Sequence, residues 1–180
     1  MERIVQIMDE QTIRRSLARI THEIIERNDG SKNVCVFGIK NRGVELARIL
    51  CENLKKFDDN VVPLGTLDVT LRRDDLTEQE KTSKATESII PCDIKDKTVI
   101  IVDDVLYTGR TARAAIETIF SLARPKSVQL AVLVDRGHRE IPIRPDFVGK
   151  NIPTSKHEKI SVVMNGENNG VYIINKEKSN

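Results

Sequence analysis

Three mainly apolar runs, each separated from the next by a helix-like segment, constrain the fold of this chain most strongly. They span 33–39 (NVCVFGI), 98–102 (TVIIV) and 127–134 (SVQLAVLV). A strand that is apolar on both faces is typical of a parallel sheet covered by helices on both sides. Strands that alternate with helices therefore predict an α/β fold with a mainly parallel sheet. At 180 residues, one domain covering 1–180 is expected.

Apolar residues at helical spacing predict helices over 9–28, 41–57 and 109–123. Further strands are predicted over 61–71, 160–165 and 170–175. Residues 72–91 are polar and lack periodicity, and a loop of that length is usually functional or mobile. Residues 135–155 are rich in Pro and Gly and are expected to be irregular.

Composition excludes several classes of protein. The chain is 39% hydrophobic and 31% charged, which is typical of a soluble globular protein. No apolar run is long enough to cross a bilayer, and the N-terminus does not resemble a secretory signal, so we expect a cytoplasmic protein without a membrane partner. Three cysteines without a CxxC spacing are expected to be reduced and structural, and no metal site made by the protein alone is predicted.

Two adjacent acids, Asp103 and Asp104, follow the central apolar run. Ligands of open α/β sheets bind beyond the carboxyl ends of the strands. The Thr108–Thr111 turn then begins a helix, where Gly109 permits close approach and the helix N-terminus favours a phosphate. Because carboxylates accept hydrogen bonds from hydroxyls, a ribose phosphate would satisfy both features. The alternative is a surface acid pair that caps a helix.

The segment VIIVDDVLYTGRT resembles the phosphoribosyl pyrophosphate (PRPP) signature of type I phosphoribosyltransferases. Together with DEQTIRRSLARITHEIIERN, GIKNRG, DVTLRRDDL and LAVLVDRGHREIPIRPDFVGKNIPTS, it resembles the PyrR family of bacterial pyrimidine operon attenuation proteins. The resemblance runs from about residue 9 to about residue 155. It implies the type I phosphoribosyltransferase fold, with a mobile loop at about 72–91 and a small hood formed by about 135–155 and the N-terminal segment.

The resemblance also implies roles for single residues. Asp103 and Asp104 would hold the ribose hydroxyls of PRPP, and Arg73 of the mobile loop would close over its pyrophosphate. These three form the expected catalytic set, with Mg²⁺ held largely by PRPP itself. The residues expected to bind PRPP or a nucleotide are Lys40, Asn41, Arg42, Gly43, Val105, Leu106, Tyr107, Thr108, Gly109, Arg110 and Thr111.

The expected base is uracil. Purine-using relatives carry an acid where this chain has Tyr107 and a lysine where it has Asp135, and both differences argue against a purine. Phe147 is expected to stack on the base and Val148 to contact it through the main chain. The alternative for Phe147 is an ordinary core residue.

A basic surface is the second functional feature. The family's RNA contacts imply a strip on the polar face of the first helix and in the hood, although a solvated charged face is the alternative for a chain of net charge +2. The expected RNA-binding residues are Arg15, Arg19, His22, Arg27, Arg139, Arg144 and Lys150. Ala18 departs from the family, where a small hydroxyl residue is expected.

The leading hypothesis is a regulator that binds leader mRNA of pyrimidine genes when UMP or UTP is bound, and that also converts uracil and PRPP to UMP and pyrophosphate. A plain pyrimidine salvage enzyme is one alternative, and a pure RNA-binding regulator whose pocket only senses nucleotides is another. The family resemblance implies a homodimer or homotetramer.

Overall fold

The computed structural model describes residues 2–84, 86–155, 157–164 and 166–176. The strands are β1 (Glu2–Asp9), β2 (Val34–Ile39), β3 (Leu64–Leu67), β4 (Thr98–Leu106), β5 (Ser127–Asp135), β6 (Phe147–Asn151), β7 (Glu158–Val163) and β8 (Gly170–Lys176). The α-helices are α1 (Glu10–Arg27), α2 (Arg42–Asp58), α3 (Glu78–Lys84) and α4 (Arg110–Leu122). A short 3₁₀ helix covers Thr70–Arg72. Among these residues, no helix is long and apolar enough to span a membrane.

A five-stranded parallel sheet in the order β3-β2-β4-β5-β6 forms the centre of the molecule. Alternate residues of β4 face opposite sides: Ile100 packs in the core beneath α1 and α2, whereas Val99 and Ile101 pack beneath α4. Both faces are therefore covered by helices, which explains why the strand is apolar throughout. The predicted α/β fold with a mainly parallel sheet is confirmed.

A second, antiparallel sheet in the order β1-β8-β7 joins the N-terminal segment to the last two strands. The two closing strands were predicted, but β1 (ERIVQIMD) was not. The helix α1 follows β1 directly, and the Asp9 side chain caps it by accepting a 2.7 Å hydrogen bond from the amide of Thr12.

The helices predicted over 9–28, 41–57 and 109–123 are present as α1, α2 and α4. The strand predicted over 61–71 is wrong in length, since β3 covers only Leu64–Leu67. The Asp68 carboxylate accepts a 2.8 Å hydrogen bond from the amide of Thr70, which turns the chain into the 3₁₀ helix. Conversely, the strand predicted over 98–102 extends to Leu106, so both acids lie within β4.

Two segments expected to be irregular contain regular structure. Within 72–91, α3 begins after Thr77, whose hydroxyl accepts from the Glu80 amide while the Glu80 carboxylate accepts from the Thr77 amide. This reciprocal capping follows from the sequence pattern Thr-x-x-Glu at 77–80. Within 135–155, β6 forms the edge of the main sheet. Ala85 of the predicted mobile loop lies outside the described residues. The single domain, the mobile loop and the hood boundaries stay predictions.

Candidate active site

The acid pair lies near the end of β4, the middle strand of the main sheet. The Asp103 carboxylate accepts a 2.9 Å hydrogen bond from the Asp104 amide, and the Asp104 carboxylate accepts one of 2.8 Å from the Val105 amide. Burial raises the pKa of Asp103 well above its ordinary value, and the charge of Asp104 raises it further. The Asp104 side chain is 19% exposed.

The predicted phosphate turn follows at once. Gly109 has a φ of +94°, a left-handed conformation that a residue with a side chain rarely adopts, and it immediately precedes α4. The first amides of α4 have no partner within the helix and can bind an anion. This turn borders a cavity of about 410 Å³, whose lining includes Arg73, Asp103, Tyr107, Thr108, Arg110 and Thr111. Of the other predicted residues on this segment, Val105 also lines the cavity, and Leu106 lines it while its side chain is buried in the core.

A second cavity of about 380 Å³ lies on the other side of the acids, against the loop between β2 and α2. Its lining includes Lys40, Asn41, Arg42, Asp103 and Asp104. Arg42 reaches across to Asp104 with a nitrogen–oxygen distance of 3.6 Å. Arg73 borders both cavities, which places it between the two predicted anion sites.

Gly43 explains how this loop approaches the acid strand. A Cβ at position 43 would lie 2.4 Å from the carbonyl oxygen of Val102, which is closer than such atoms can come. Only glycine allows α2 to begin against β4 at this point. The Lys40–Asn41 peptide bond is cis. The Lys40 ammonium donates to the Thr86 hydroxyl at 2.8 Å and to the Glu87 carbonyl, so it contacts the segment that follows α3.

The cations of the site already have acidic partners. Arg110 pairs with Asp74 at 2.6 Å and with Glu140 at 2.8 Å, and Arg73 pairs with Asp75 at 2.5 Å. Sequence reasoning did not assign Asp74 or Glu140 to the site. Their pairing depends on two loops meeting beside α4, which a linear pattern does not reveal.

A third group of polar residues is centred on Asp135, the last residue of β5. Its carboxylate accepts hydrogen bonds from the Gly137 amide at 3.0 Å and from the Arg139 guanidinium at 2.6 Å. Arg139 also donates to the carbonyl oxygens of Tyr107 at 2.9 Å and Ile143 at 2.8 Å. Arg139 thus ties the phosphate turn to the loop that precedes β6. The adjoining cavity of about 300 Å³ is lined by Asp135, Gly137, Arg139, Arg144, Pro145 and Val148.

The stacking role expected for Phe147 is contradicted. Its side chain is 3% exposed and packs in the core on the α1 side of the sheet, where the Arg27 guanidinium lies 5.6 Å from the ring centre. Successive residues of a strand point to opposite faces, so Val148 packs with the α4-side core and lines the cavity at Asp135. Phe147 is the ordinary core residue that the alternative described.

The sequence places Arg136 only among the basic residues of the hood, whereas the structure makes it a residue of the site. Its guanidinium lies 3.9 Å from the centre of the Tyr107 ring, and the residue is 8% exposed. It donates to the Thr154 hydroxyl at 2.6 Å and to the carbonyl oxygens of Ser155 and Glu158. An arginine in a polar segment is usually exposed, so only the structure identifies it as the support beneath Tyr107.

The structure brings α1 and β6 together, as the basic strip requires. Arg19 donates to the carbonyl oxygens of Val148 at 2.9 Å and Gly149 at 2.8 Å, and Arg27 pairs with Asp146 at 2.8 Å. Lys150 donates to the carbonyl oxygen of Ile7 at 3.3 Å. Three of the predicted RNA-binding cations therefore also hold the sheet edge in place.

The other predicted members of the strip differ in placement. Arg15, His22 and Arg144 are exposed, and the His22 ring stacks on Phe57 of α2 at a centroid distance of 4.4 Å. Arg139 does not join them, because its guanidinium is committed to Asp135 and to main-chain oxygens near the cavity. Its assignment to the RNA-binding set is therefore replaced by a place in the cavity wall. Among the described residues, no group of three or more His, Cys, Asp or Glu could hold a metal ion.

Comparison with known proteins agrees with this geometry. A family model, the phosphoribosyl transferase domain, matches residues 4–165. Among solved structures, a hypoxanthine-guanine phosphoribosyltransferase from Bacillus anthracis is similar with a TM-score of 0.69 and 18% identity, covering 93% of this chain and 95% of its own. A hypoxanthine phosphoribosyltransferase from Trypanosoma cruzi is similar with a TM-score of 0.68 and 21% identity, covering 86% and 80%. The fold and the site therefore define a phosphoribosyltransferase.

The nearer resemblance is to curated proteins named bifunctional protein PyrR. The protein of that name from Bacillus pumilus is 56% identical over 169 residues, covering 92% of this chain and 93% of the relative. The one from Bacillus subtilis is 56% identical over 160 residues, covering 87% of each chain. The one from Deinococcus radiodurans is 51% identical, covering 93% and 91%. The chain belongs to the PyrR family.

Proposed function

We propose that this chain is a uridine-nucleotide-dependent regulator that binds the leader mRNA of pyrimidine genes and promotes transcription termination, and that it is also a uracil phosphoribosyltransferase. The observation that carries the enzymatic part is the acid pair: Asp103 lines two cavities and Asp104 lines the second of them, and a different candidate anion-binding segment borders each cavity. The curated relatives carry the name bifunctional, which supports the combination. A cytoplasmic location follows from a partner that is nascent mRNA.

In the proposed reaction, the nitrogen N1 of uracil displaces pyrophosphate from the anomeric carbon of PRPP. The turn at Thr108–Thr111 binds the 5′-phosphate through backbone amides, and Asp104 accepts hydrogen bonds from the ribose hydroxyls. Lys40 and Arg42 bind the pyrophosphate on the other side, where Arg73 closes from its loop. Holding both ends of PRPP leaves the anomeric carbon facing the base and excludes water.

Magnesium fits this site. Asp103 and Asp104 supply the hard carboxylate oxygens that Mg²⁺ prefers, and the neighbouring space is lined by polar groups. They would hold the ion together with oxygens of PRPP, since the described residues offer no larger ligand cluster. When bound, Mg²⁺ neutralises the charge on the departing pyrophosphate.

Asp135 and Arg139 provide the proposed reader of the base. An arginine has five N–H donors. Within the described residues, Arg139 uses four of these donors in hydrogen bonds to Ile143, Tyr107, Gly137 and Asp135. The fifth N–H is on the same nitrogen that donates to the Asp135 carboxylate. In the part of the chain that the structure describes, a free donor of Arg139 and the carboxylate acceptor of Asp135 therefore lie side by side in the cavity wall. That pair matches the N–H and C=O edge of uracil, whereas cytosine presents an acceptor and an amino group there.

The basic strip of α1 and β6 is the proposed RNA surface. Arg15 and His22 are exposed on α1, and Arg19 and Arg27, which hold the edge of the sheet, are half-exposed beside them. Arg144 is exposed at the wall of the cavity at Asp135. We further propose a homodimer or homotetramer, which light scattering of the purified protein would show.

The enzymatic proposal is tested by incubating the protein with PRPP, Mg²⁺ and one base at a time. The bases are uracil, cytosine, hypoxanthine, guanine and orotate. Uracil should be used in preference to all others, and Asp135→Asn should weaken the discrimination against cytosine. Preference for a purine or for orotate would overturn the assignment.

The regulatory proposal is tested by titrating labelled pyrimidine-operon leader RNA with and without UMP or UTP. Specific binding that the nucleotide tightens supports it, and RNA should then tighten nucleotide binding by the same factor. Uracil turnover without specific RNA binding would favour the salvage enzyme. Nucleotide-dependent RNA binding without turnover would favour the pure regulator.

A further inference from the structure

Two of the three cysteines lie in contact, although 57 positions separate them in the sequence. Cys35 lies near the start of β2 with no exposed surface, and Cys92 lies beyond the long loop that contains α3. Their sulphur atoms are 3.3 Å apart. Since a disulfide has a sulphur–sulphur bond of about 2.0 Å, little more than 1 Å of further approach is needed to form one.

The surroundings of the two sulphurs differ. Cys35 is enclosed in the core beneath α4, and burial, followed by its hydrogen bond with Cys92, raises the pKa of its thiol. Cys92 is partly exposed, and the Lys97 ammonium lies 3.6 Å from its sulphur. Access to solvent and a neighbouring cation are the conditions under which a cysteine oxidises first.

We propose that Cys35 and Cys92 are a modification site, at which the two thiols form an intramolecular disulfide when the protein is exposed to hydrogen peroxide. The sulphur of Cys92 attacks the peroxide, so that an S–O bond forms, the O–O bond breaks and one water leaves. The sulphur of Cys35 then attacks that of Cys92. The S–S bond forms, the S–O bond breaks, and the departing hydroxide takes the proton of Cys35 to leave as a second water. Two thiols are oxidised and one hydrogen peroxide is reduced to two waters.

The bond would anchor the end of the long loop to β2, which lies beside the middle strand of the main sheet. The segment 86–92 includes Thr86 and Glu87, which hold the Lys40 ammonium, and Ile89, whose amide pairs with the Thr66 carbonyl at 2.9 Å. A covalent link at Cys92 restricts the opening of this segment. Hydrogen exchange at the Ile89 amide should therefore be slower in the oxidised protein than in the reduced protein.

The experiment treats the full chain with hydrogen peroxide, blocks the remaining thiols under denaturing conditions and maps the peptides by mass spectrometry. The expected product is one cross-linked peptide pair containing Cys35 and Cys92, lighter by two hydrogens and reversed by dithiothreitol, with Cys51 still available to the blocking reagent. Cys51→Ser is the matched control and should give the same product. Cys92→Ser should abolish it.

A further variant keeps the proposal falsifiable. In Cys35→Ala, Cys92 has no partner and should accumulate with added oxygen atoms, provided that circular dichroism shows the variant to be folded. The proposal is overturned if Cys92 of the wild-type chain remains fully reduced, accumulates added oxygen without a cross-link, or links to another chain.

Discussion

Replacing Arg19 by alanine tests whether the RNA face and the base cavity share a structural element. The guanidinium of Arg19 donates to two main-chain oxygens of β6, at Val148 and Gly149, and pairs with Glu23 at 2.7 Å. Because Val148 also lines the cavity at Asp135, the variant should affect three properties together: stability, use of uracil and binding of RNA.

The size of the effect follows from the exposure of the side chain. Hydrogen bonds that involve a charged group contribute about 1.5–3 kcal/mol each when buried. The Arg19 side chain is 50% exposed, so water can replace part of the loss, and the Glu23 pair adds little. We expect a destabilisation of about 1–2 kcal/mol, which lowers the Tm of a chain of this size by about 2–8 °C. The KM for uracil should rise a few-fold as the Val148 segment loosens.

Arg15→Ala is the matched control, since Arg15 lies one turn earlier on α1, is exposed, and makes no such bond to the described part of β6. Thermal unfolding, steady-state kinetics and RNA titration over a range of salt concentrations measure the three properties. Arg15→Ala should weaken RNA binding alone, and it should flatten the log–log salt slope by about 0.7 if it contacts one phosphate of a single strand. If Arg19→Ala keeps the Tm and the KM of the wild type, the contact with β6 has no energetic role and the reasoning fails.

The remaining predictions concern the acids of the site. Asp104→Asn should lower kcat/KM for PRPP by roughly tenfold to a hundredfold, because it weakens hydrogen bonds to a charged acceptor, and unchanged kinetics would remove Asp104 from the site. Asp103→Asn should raise the Tm near neutral pH. Because the pKa of Asp103 is raised in the folded state, the folded chain binds this proton more tightly than the unfolded chain does. The free energy of unfolding of the wild type therefore falls as the pH rises from the unfolded-state pKa to the folded-state pKa of Asp103. The variant has no carboxyl at position 103, so its stability should not fall in this way. A Tm difference that is the same at every pH would contradict this. Asp74→Asn should lower the KM for PRPP a few-fold by freeing Arg110, and a raised KM would show that Asp74 supports the site instead.

The central part of the site could be predicted because its signals are local. The apolar run before Asp103 and the glycine at 109 occupy one continuous stretch, and the order strand, acids, turn and helix is visible in it. The carboxyl ends of neighbouring parallel strands then meet at one edge, so the loop that begins at Lys40 could be placed beside the acids.

The base side could not be predicted in the same way. The short edge strand β6 was not recognised. Successive side chains of a strand point to opposite faces of the sheet, so without the strand and its register the face on which Phe147 lies could not be predicted. The role of Arg139 was missed for a related reason. Its charge alone placed Arg139 with the basic strip. Its partner Asp135 lies four positions earlier, at the end of a strand. The chain between them reverses through Gly137, where φ is +79°, and this turn brings the two side chains together.

The pairing of the site's own charges bears on how a polyanion can bind. Arg110 is held by Asp74 and Glu140, and Arg73 is held by Asp75, so the cations nearest the phosphate turn are neutralised within the chain. An incoming phosphate gains full use of Arg110 only if a carboxylate leaves it. Glu140 belongs to a segment anchored by hydrogen bonds from its own amide and that of Ile141 to the Thr108 carbonyl, whereas Asp74 lies in the long loop before α3. Asp74 is therefore the partner of Arg110 that is more readily displaced, whereas Arg73 can turn toward the second anion site only when its own partner Asp75 leaves it.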